Sequence, residues 1–457
     1  MNTANGKKEY IGEHAIVIGG GFTGLLGARV LSDHFKKVTV IEKGPASEDP
    51  VFNPINGVPQ ISSTHHLHFK GASILRELFP NIEEKLIQNG SHKIDILNDF
   101  KYYFLGWKQR SNSGKYTYTQ SRALLDRTLR SLLEDQSNVF FLDKCEVKGL
   151  LVNFKEDRMT GVSIYNNESK EESNLYGNFV VDASGVNTVC PDWLEGYGYK
   201  KPASTEIKVN LKYFSRICRV PEKYQDECKF LLVKNLKFGN LGTITEIEKD
   251  SQGRRWLATI AGQVIDPPIT NEEELLENAR KLEQPNFYEI VKESTQLTQI
   301  YPFTFPKVRR YYYEDLERLP GGFIAMGDAL CAWSPANAAG LTVSAATAQA
   351  LKQVLMDQKE KQNLNTLTRN YFARMKKITN AYWIIFAQVE FIASSSGKIP
   401  LHLKFFTWYR NSVMKLSNTY PEIWRRLYEV TYYEKPLIKL FSPFIFYRVL
   451  LQWIKQK

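Results

Sequence analysis

Three glycines near the amino terminus have the spacing of a nucleotide-binding turn. Gly19, Gly21 and Gly24 form a Gly-x-Gly-x-x-Gly pattern after the apolar run Ala15 to Ile18, and Glu42 ends a second β-branched run. Such glycines let a pyrophosphate approach the backbone, the following helix N-terminus attracts negative charge, and an acid accepts hydrogen bonds from ribose hydroxyls. The order strand, turn, helix, strand and acid predicts a dinucleotide site, which fits NAD and FAD equally.

A second group of residues, about 300 positions downstream, favours FAD. Gly327 and Asp328 end a predicted buried strand, and Pro335 and Gly340 precede a helix rich in small residues that starts at Leu341. A carboxylate at a strand end can bind a ribityl hydroxyl. A helix N-terminus can stabilise the negative charge that develops on a reduced flavin. A one-domain nicotinamide enzyme has no use for this second site.

Together with Asp182-Ala183-Ser184-Gly185, these two groups resemble the flavoprotein monooxygenases of the para-hydroxybenzoate hydroxylase fold. The block Gly57-Val58-Pro59-Gln60, followed by His66 and His68, is similar to a bacterial subgroup of FAD-dependent hydroxylases and epoxidases. The resemblance covers roughly residues 14 to 355. It implies hydroxylation or epoxidation of an apolar or aromatic small molecule through a flavin C4a-hydroperoxide. NAD(P)H would be a transient reductant, acting directly or through a separate reductase partner.

The resemblance also implies roles for individual residues. The glycine turn and Glu42 would contact the ADP part of FAD, and Asp182 would belong to the cofactor site. Asp328 would bind the ribityl chain, and backbone N–H groups of residues 339–341, with Pro335 and Gly340 shaping the loop, would meet the isoalloxazine edge. Arg122, at a predicted helix start, would contact the ribose or pyrophosphate, or else balance helix charge at the surface.

The sequence departs from the family pattern at two places. Val186 stands where the family often has Arg, which weakens any prediction of nicotinamide phosphate recognition there. The loop Pro335 to Leu341 contains alanines where the family is usually richer in glycine. We therefore expect FAD to bind with altered affinity or flavin mobility.

His65, His66 and His68 form a cluster with several interpretations. No carboxylate or cysteine lies at a matching metal-ligand spacing, so no metal site is predicted. A structural role in the loop and acid–base or flavin-positioning work both remain open.

Hydrophobic periodicity predicts an α/β fold class with a mostly antiparallel second sheet and a helical C-terminal region. With the motifs and the resemblance, this implies a discontinuous Rossmann-like FAD-binding domain, a mostly antiparallel β-sheet substrate domain and a helical C-terminal region. The predicted boundaries are 1–200 for the first part of the FAD domain (of which 57–115 could join the substrate domain), 201–310 for the substrate domain, 311–365 for the second part of the FAD domain and 366–457 for the helical region. One helix is expected over Asn271 to Glu293, capped by Thr270 or Asn271.

Charge and aromatic residues concentrate at the C-terminus. The net charge is +11, and residues 398–457 hold eleven lysines and arginines against three glutamates. This region is interpreted either as a helical cap on the substrate domain or as a peripheral contact with an anionic membrane face. Nucleic acid is not expected as a partner, since no recognised binding module is present.

The remaining composition points to a cytoplasmic protein, in solution or on the inner face of a membrane. Five scattered cysteines suggest neither a disulfide framework nor zinc. The first 14 residues lack an apolar signal core, and no apolar run reaches membrane-spanning length.

Three rival functions stay open. A flavin halogenase would be expected to carry Trp-x-Trp-x-Ile-Pro, which Trp256 to Ile260 does not supply. A geranylgeranyl-type prenyl reductase is suggested by Tyr301 to Lys307, although Phe303 replaces the expected tryptophan. The third rival is a flavin-bound membrane or partner-binding protein without turnover.

Overall fold

The computed structural model describes residues 10–45, 65–225, 229–235, 239–263, 265–359, 364–383 and 400–455. The Gly57 to Gln60 segment therefore lies outside the described residues. The strands within these ranges are β1 (Gly12–Ile18), β2 (Phe35–Ile41), β3 (His92–Ile94), β4 (Phe100–Tyr103), β5 (Thr117–Thr119), β6 (Val139–Leu142), β7 (Cys145–Asn153), β8 (Arg158–Asn166), β9 (Glu172–Tyr176), β10 (Phe179–Asp182), β11 (Ser204–Arg219), β12 (Phe230–Lys234), β13 (Leu241–Asp250), β14 (Gly253–Gly262), β15 (Thr295–Gln296), β16 (Tyr301–Tyr311), β17 (Phe323–Ala325) and β18 (Cys331–Ala332).

The α-helices of the same ranges alternate with the first strands and dominate the C-terminal part. They are α1 (Phe22–Ser32), α2 (Phe69–Leu78), α3 (Ile82–Gln88), α4 (Ile96–Asp99), α5 (Arg122–Glu134), α6 (Cys190–Gly196), α7 (Glu222–Gln225), α8 (Glu272–Arg280), α9 (Asn286–Glu293), α10 (Gly340–Lys359), α11 (Leu364–Tyr382), α12 (Leu401–Leu416), α13 (Pro421–Thr431) and α14 (Pro443–Lys455).

A five-stranded parallel sheet positions the glycine turn. Its strand order is β17-β10-β1-β2-β6, so it is assembled from distant parts of the chain. The central strands are buried on both faces, which is why Ala15 to Ile18 is continuously apolar rather than alternating. The carboxyl ends of β1, β10 and β17 meet at one edge, where ligands bind in open α/β sheets.

The second large sheet has eight strands and carries the alternating segments of the sequence. Its order is β18-β16-β11-β14-β13-β12-β4, with β15 also paired to β11. All its pairs are antiparallel except β12 with β4. The two sheets with their helices confirm the predicted α/β class with a mostly antiparallel second sheet.

The expected single helix over residues 271–293 is wrong. The structure has two helices, α8 and α9, separated near Pro285. Asn271 caps α8 as predicted, because its side-chain oxygen accepts a 3.0 Å hydrogen bond from the Glu274 N–H. A proline lacks the N–H that a continuous helix needs, and its ring clashes with the preceding turn.

The C-terminal helices close one edge of the second sheet. Tyr409 of α12, Trp424 of α13 and Ile445 of α14 share an apolar core with Phe100 of β4 and Phe230 of β12. Among the helices that the structure describes, none is both long and apolar enough to cross a bilayer.

Candidate cofactor-binding site

In the N-terminal glycine turn, a side chain at the first or the third glycine would clash with the backbone. Gly19 has φ = +102°, and a Cβ there would lie 2.6 Å from the Ala183 carbonyl oxygen. A Cβ on Gly24 would lie 1.9 Å from the Gly19 carbonyl oxygen, so this glycine lets α1 approach the end of β1. Gly21 precedes α1 as its N-cap and offers no side-chain cap, so the first N–H groups of α1 are available to an anion.

Glu42 lies beside this turn, as predicted for a ribose-binding acid. Its Oε2 accepts a 2.8 Å hydrogen bond from the Gly20 N–H, and its Oε1 accepts a 3.0 Å bond from the Gly44 N–H. Each carboxylate oxygen has two lone pairs, so each oxygen can still accept a hydroxyl. The backbone therefore fixes the position of the Glu42 carboxylate and leaves it able to accept further hydrogen bonds.

Arg122 lies at the start of α5, directly opposite Gly21. Its Nη2 is the nearest group to a Cβ built on Gly21, at 3.9 Å. Its Nε donates to both carboxylate oxygens of Asp126, at 2.8 and 2.9 Å, and its guanidinium lies 5.4 Å from the centroid of the Phe22 ring. Within the described ranges no acceptor binds its Nη groups, so the side chain is held by Nε and keeps its terminal donors for a ligand.

Asp328 is a charged residue of this region whose environment disfavours its ionised form. It lies in a turn after β17, and no described residue donates a hydrogen bond to its carboxylate. Burial raises its pKa to about 6, while the nearby Arg122 and Arg309 act in the opposite direction. A half-buried carboxylate without a hydrogen-bond partner is destabilising unless a ligand hydroxyl satisfies it.

The preceding residue joins the two halves of the site. Gly327 has φ = +57°, and a Cβ there would lie 2.5 Å from the Thr23 Oγ1. That hydroxyl donates a 2.9 Å hydrogen bond to the Ser344 Oγ of α10. Residues more than 300 positions apart are thus in direct contact between α1 and α10.

The loop between Pro335 and Leu341 leads into α10. Residues 335–337 form a single 3₁₀ turn, and Ala338 adopts a left-handed conformation with φ = +51°. Gly340 is exposed, and nothing lies within 4 Å of a Cβ built on it, whereas Leu341 is buried. The left-handed position is therefore occupied by a residue with a Cβ, which costs about 1 kcal/mol relative to glycine.

The Asp182 carboxylate accepts hydrogen bonds from residues of the loop that follows β10. Its side chain is fully buried, its Oδ1 accepts hydrogen bonds from the N–H and hydroxyl of Ser184, and its Oδ2 accepts one from the Thr188 hydroxyl. With both oxygens engaged and no surface exposed, this carboxylate holds the loop after β10 in place. That Asp182 belongs to the cofactor site stays a prediction.

His66 and His68 lie between the α10 N-terminus, the second sheet and the C-terminal helices. The His68 N–H donates to the Thr342 Oγ1 at 3.3 Å, and its Nδ1 is 2.8 Å from the Tyr428 hydroxyl. Its ring stacks on Tyr432 with centroids 3.3 Å apart. His66 packs on Phe230, with ring centroids 3.8 Å apart.

Both imidazoles are neutral at physiological pH. Burial, and then His65, lowers the pKa of His66 to about 3. Burial and then His66 hold the pKa of His68 well below its ordinary value, with the Ala338 carbonyl acting in the opposite direction. This environment fits the positioning role better than proton transfer, since a general acid or base works best with a pKa near the operating pH.

Sequence reasoning missed the residues that reach the site from other elements. Arg309 of β16 is buried, and its Nη2 donates a 2.6 Å hydrogen bond to the Val186 carbonyl. The Arg309 guanidinium therefore lies at the loop that contains Val186, the position at which the family that the sequence resembles often has an arginine. Tyr428 and Tyr432 come from α13 and its C-cap. Only the aromatic composition of the C-terminal region pointed to them.

The sequence comparisons give one significant relative and no family. No family model matches the chain. Protein Rv3254 of Mycobacterium tuberculosis is 27% identical over 352 residues, which cover 75% of this chain and 73% of that protein.

Solved structures share the fold at low sequence identity. The flavin-dependent brominase Bmp2 superposes with a TM-score of 0.64 at 12% identity, covering 97% of this chain and 100% of its own. The p-nitrophenol 4-monooxygenase PnpA from Pseudomonas putida gives 0.65 at 14% identity, covering 92% and 98%. PqsL, a probable FAD-dependent monooxygenase from Pseudomonas aeruginosa, gives 0.62 at 14% identity, covering 83% and 96%. The chain therefore has the fold of FAD-dependent monooxygenases and halogenases.

Proposed function

We propose that this protein is an FAD-dependent monooxygenase that hydroxylates or epoxidises an apolar or aromatic small molecule. The observation that carries the proposal is the convergence of unsatisfied groups from distant segments. The Asp328 carboxylate lacks a hydrogen-bond donor within the described residues, and Arg122 keeps its terminal donors beside Gly21. Such groups are costly in an empty protein and useful in one that binds a polar cofactor.

The residues of the site fit FAD along its whole length. Glu42 would accept the adenosine ribose hydroxyls, and the uncapped start of α1 with Arg122 would hold the pyrophosphate. Asp328 would accept the ribityl hydroxyls, and the backbone at Gly340 would meet the flavin ring. Bound FAD would supply the activation of dioxygen, with electrons from NAD(P)H or a separate reductase.

The protein's own contribution would be to exclude water and orient the substrate. The face of the second sheet next to the 335–341 loop is apolar. Tyr213, Leu241 and Phe305 form one buried cluster, against which Val186 and Ala336 pack. An apolar surface beside the flavin end supports an apolar substrate.

The visible spectrum of the purified protein tests the cofactor. We expect a flavin spectrum that is bleached under anaerobic conditions by NADH, NADPH or an added reductase. Oxygen uptake should then depend on a lipophilic aromatic compound. Gly21→Asp should abolish FAD retention, because the new carboxylate would occupy the position beside Arg122 that we propose for the pyrophosphate.

Gly196→Asp is the matched control, since Gly196 is exposed and a Cβ there meets nothing within 4 Å. A protein that retains no FAD, or that loses it equally in both variants, would contradict the proposal. Flavin reoxidation by a polyprenyl compound without oxygen would instead favour a prenyl reductase.

A halogenase is the second candidate. The likeness to Bmp2 extends over 97% of this chain, against 83% for PqsL. Adding bromide or chloride to the oxygen-uptake assay separates the two functions. A product heavier by one halogen would assign halogenation, and a product heavier by one oxygen would assign monooxygenation.

A further inference from the structure

The exposed large apolar side chains of this protein are concentrated at one end of the chain. Of the eighteen found among the described residues, ten lie within residues 401–454. They belong to three elements, namely α12, the 3₁₀ segment Leu437–Phe441 and α14. We call them the C-terminal surface: Leu401, Phe405, Trp408, Ile438, Phe444, Phe446, Tyr447, Leu450, Trp453 and Ile454.

Helix α14 is apolar on both faces. Ile445 and Val449 point into the core shared with Tyr409 and Trp424. On the other side, Phe446 and Trp453 are 51% and 40% exposed. A helix whose inner face already packs on the protein gains nothing in water from a second apolar face, so that face indicates a partner.

The charge of these elements restricts the partner. Their sequences contain six basic residues and neither Asp nor Glu: Lys404, Arg410, Lys415, Lys439, Arg448 and Lys455. A two-fold contact with a second copy would place these like charges against one another. Aromatic residues mixed with lysines are instead typical of segments that lie at the interface of an anionic bilayer.

We infer that the C-terminal surface docks on an anionic lipid bilayer, with α14 lying in the plane of the interface. Phe446, Leu450 and Trp453 would enter the boundary between headgroups and acyl chains. Lys404, Lys439 and Lys455 would contact the lipid phosphates. The inference rests on exposure and charge and is independent of the proposed chemistry.

Co-sedimentation of the full-length protein with vesicles tests this inference. We expect binding to vesicles of phosphatidylcholine with about one-third phosphatidylglycerol, and much weaker binding to phosphatidylcholine alone. Each lysine near an anionic surface accounts for about a fivefold change in partitioning. The triple variant Lys404→Gln, Lys439→Gln, Lys455→Gln should therefore bind the anionic vesicles on the order of 100-fold more weakly.

An apolar pair of variants separates lipid insertion from charge alone. Phe446→Ser with Trp453→Ser should lower binding at least about tenfold, because it removes the apolar area that would be buried. The matched control is Phe154→Ser with Tyr176→Ser, since both residues lie outside the C-terminal surface and are 55% and 66% exposed. That control should bind as the unmodified protein does.

Thermal unfolding of each variant shows that it is folded. Absence of vesicle binding, or equal losses in the apolar pair and its control, would overturn the inference. So would a concentration-dependent dimer in analytical centrifugation that only the Phe446 and Trp453 substitutions dissolve, since that result would assign the surface to a second copy.

Discussion

We propose that the two ends of the candidate cofactor site hold the adenosine and the flavin of FAD, and we call them the adenosine end and the flavin end. They are built in different ways. At the adenosine end, residues 19–24, a side chain is excluded by direct contact, since a Cβ on Gly24 would lie 1.9 Å from the Gly19 carbonyl oxygen. At the flavin end, residues 335–341, space is open around Gly340, yet Ala338 holds a left-handed conformation that glycine would adopt at lower cost.

This difference separates a rigid anchor from an adjustable support. The first end is fixed by close packing, so adding a single side-chain atom there destabilises the protein. The second end stores a small conformational strain at Ala338, and the nearby Asp328 carboxylate has no hydrogen-bond donor among the described residues, a deficit that a ligand hydroxyl can relieve. Backbone strain and buried charge of this kind are found where structure is retained for function.

The largest effect is expected from breaking the anchor. Gly24→Ala should lower the free energy of unfolding by about 2–3 kcal/mol, because overpacking outweighs the helix propensity of alanine. Gly21→Ala should change stability by less than about 1 kcal/mol but should reduce FAD retention, since its Cβ faces open space near Arg122. Urea unfolding without added FAD and fluorimetric FAD titration measure the two effects. Equal stability losses would contradict the comparison.

The second largest effect is expected from neutralising the Asp328 carboxylate. This change should increase the stability of the protein and weaken FAD binding. Asp328→Asn should raise the free energy of unfolding at pH 7 by about 1–2 kcal/mol, because folding raises the pKa of Asp328 to about 6 and so disfavours its ionised form. The same substitution should weaken FAD binding, since the amide is a poorer acceptor for ribityl hydroxyls.

The pH dependence follows from the same shift. Between about pH 6 and pH 4 the folded protein binds more protons at Asp328 than the unfolded chain does. The stability advantage of Asp328→Asn should therefore shrink as pH falls and vanish below about pH 4. An advantage that is constant with pH would show that the carboxylate is not the cause.

The smallest effect is expected from relieving the backbone strain at Ala338. Ala338→Gly should stabilise the protein by less than about 1 kcal/mol, since relief of the left-handed alanine is offset by the greater freedom of glycine when unfolded. Ala339→Gly is the control. Ala339 is fully buried and is not in the left-handed region, so its replacement should destabilise. Urea unfolding of both variants checks the prediction, and a loss of stability in Ala338→Gly would contradict it.

Local patterns made the fold and much of the site predictable from the sequence. The β-branched run before Gly19 and the spacing to Glu42 depend only on neighbouring residues, and both lie where the pattern indicated. The interruption at Pro285 was visible in the sequence but was outweighed by the helical periodicity on both sides. The hydrogen bond between Asp182 and Thr188 was not predicted, because it depends on a loop conformation that periodicity does not describe.

The long-range parts of the site could not be predicted for a physical reason. The Arg309 guanidinium reaches the Val186 carbonyl, and the Tyr428 hydroxyl reaches His68, only because separate sheets and helices pack together. Such contacts depend on how elements dock, and a single sequence gives no direct signal of that. The absence of a hydrogen-bond donor to Asp328 among the described residues also depends on how the elements dock, so it could not be predicted either.

The assembly of the parallel sheet has a consequence for how the protein is made. Strand β10 has β1 on one side, and its other neighbour, β17, is supplied only by Phe323–Ala325. While the ribosome is still adding the intervening residues, β10 carries an open edge to which another chain can pair. The contact from Thr23 to Ser344 forms later still. A nascent chain therefore has to extend past Ser344 before both halves of the candidate site can meet, so a cofactor that needs both halves can bind only after that point.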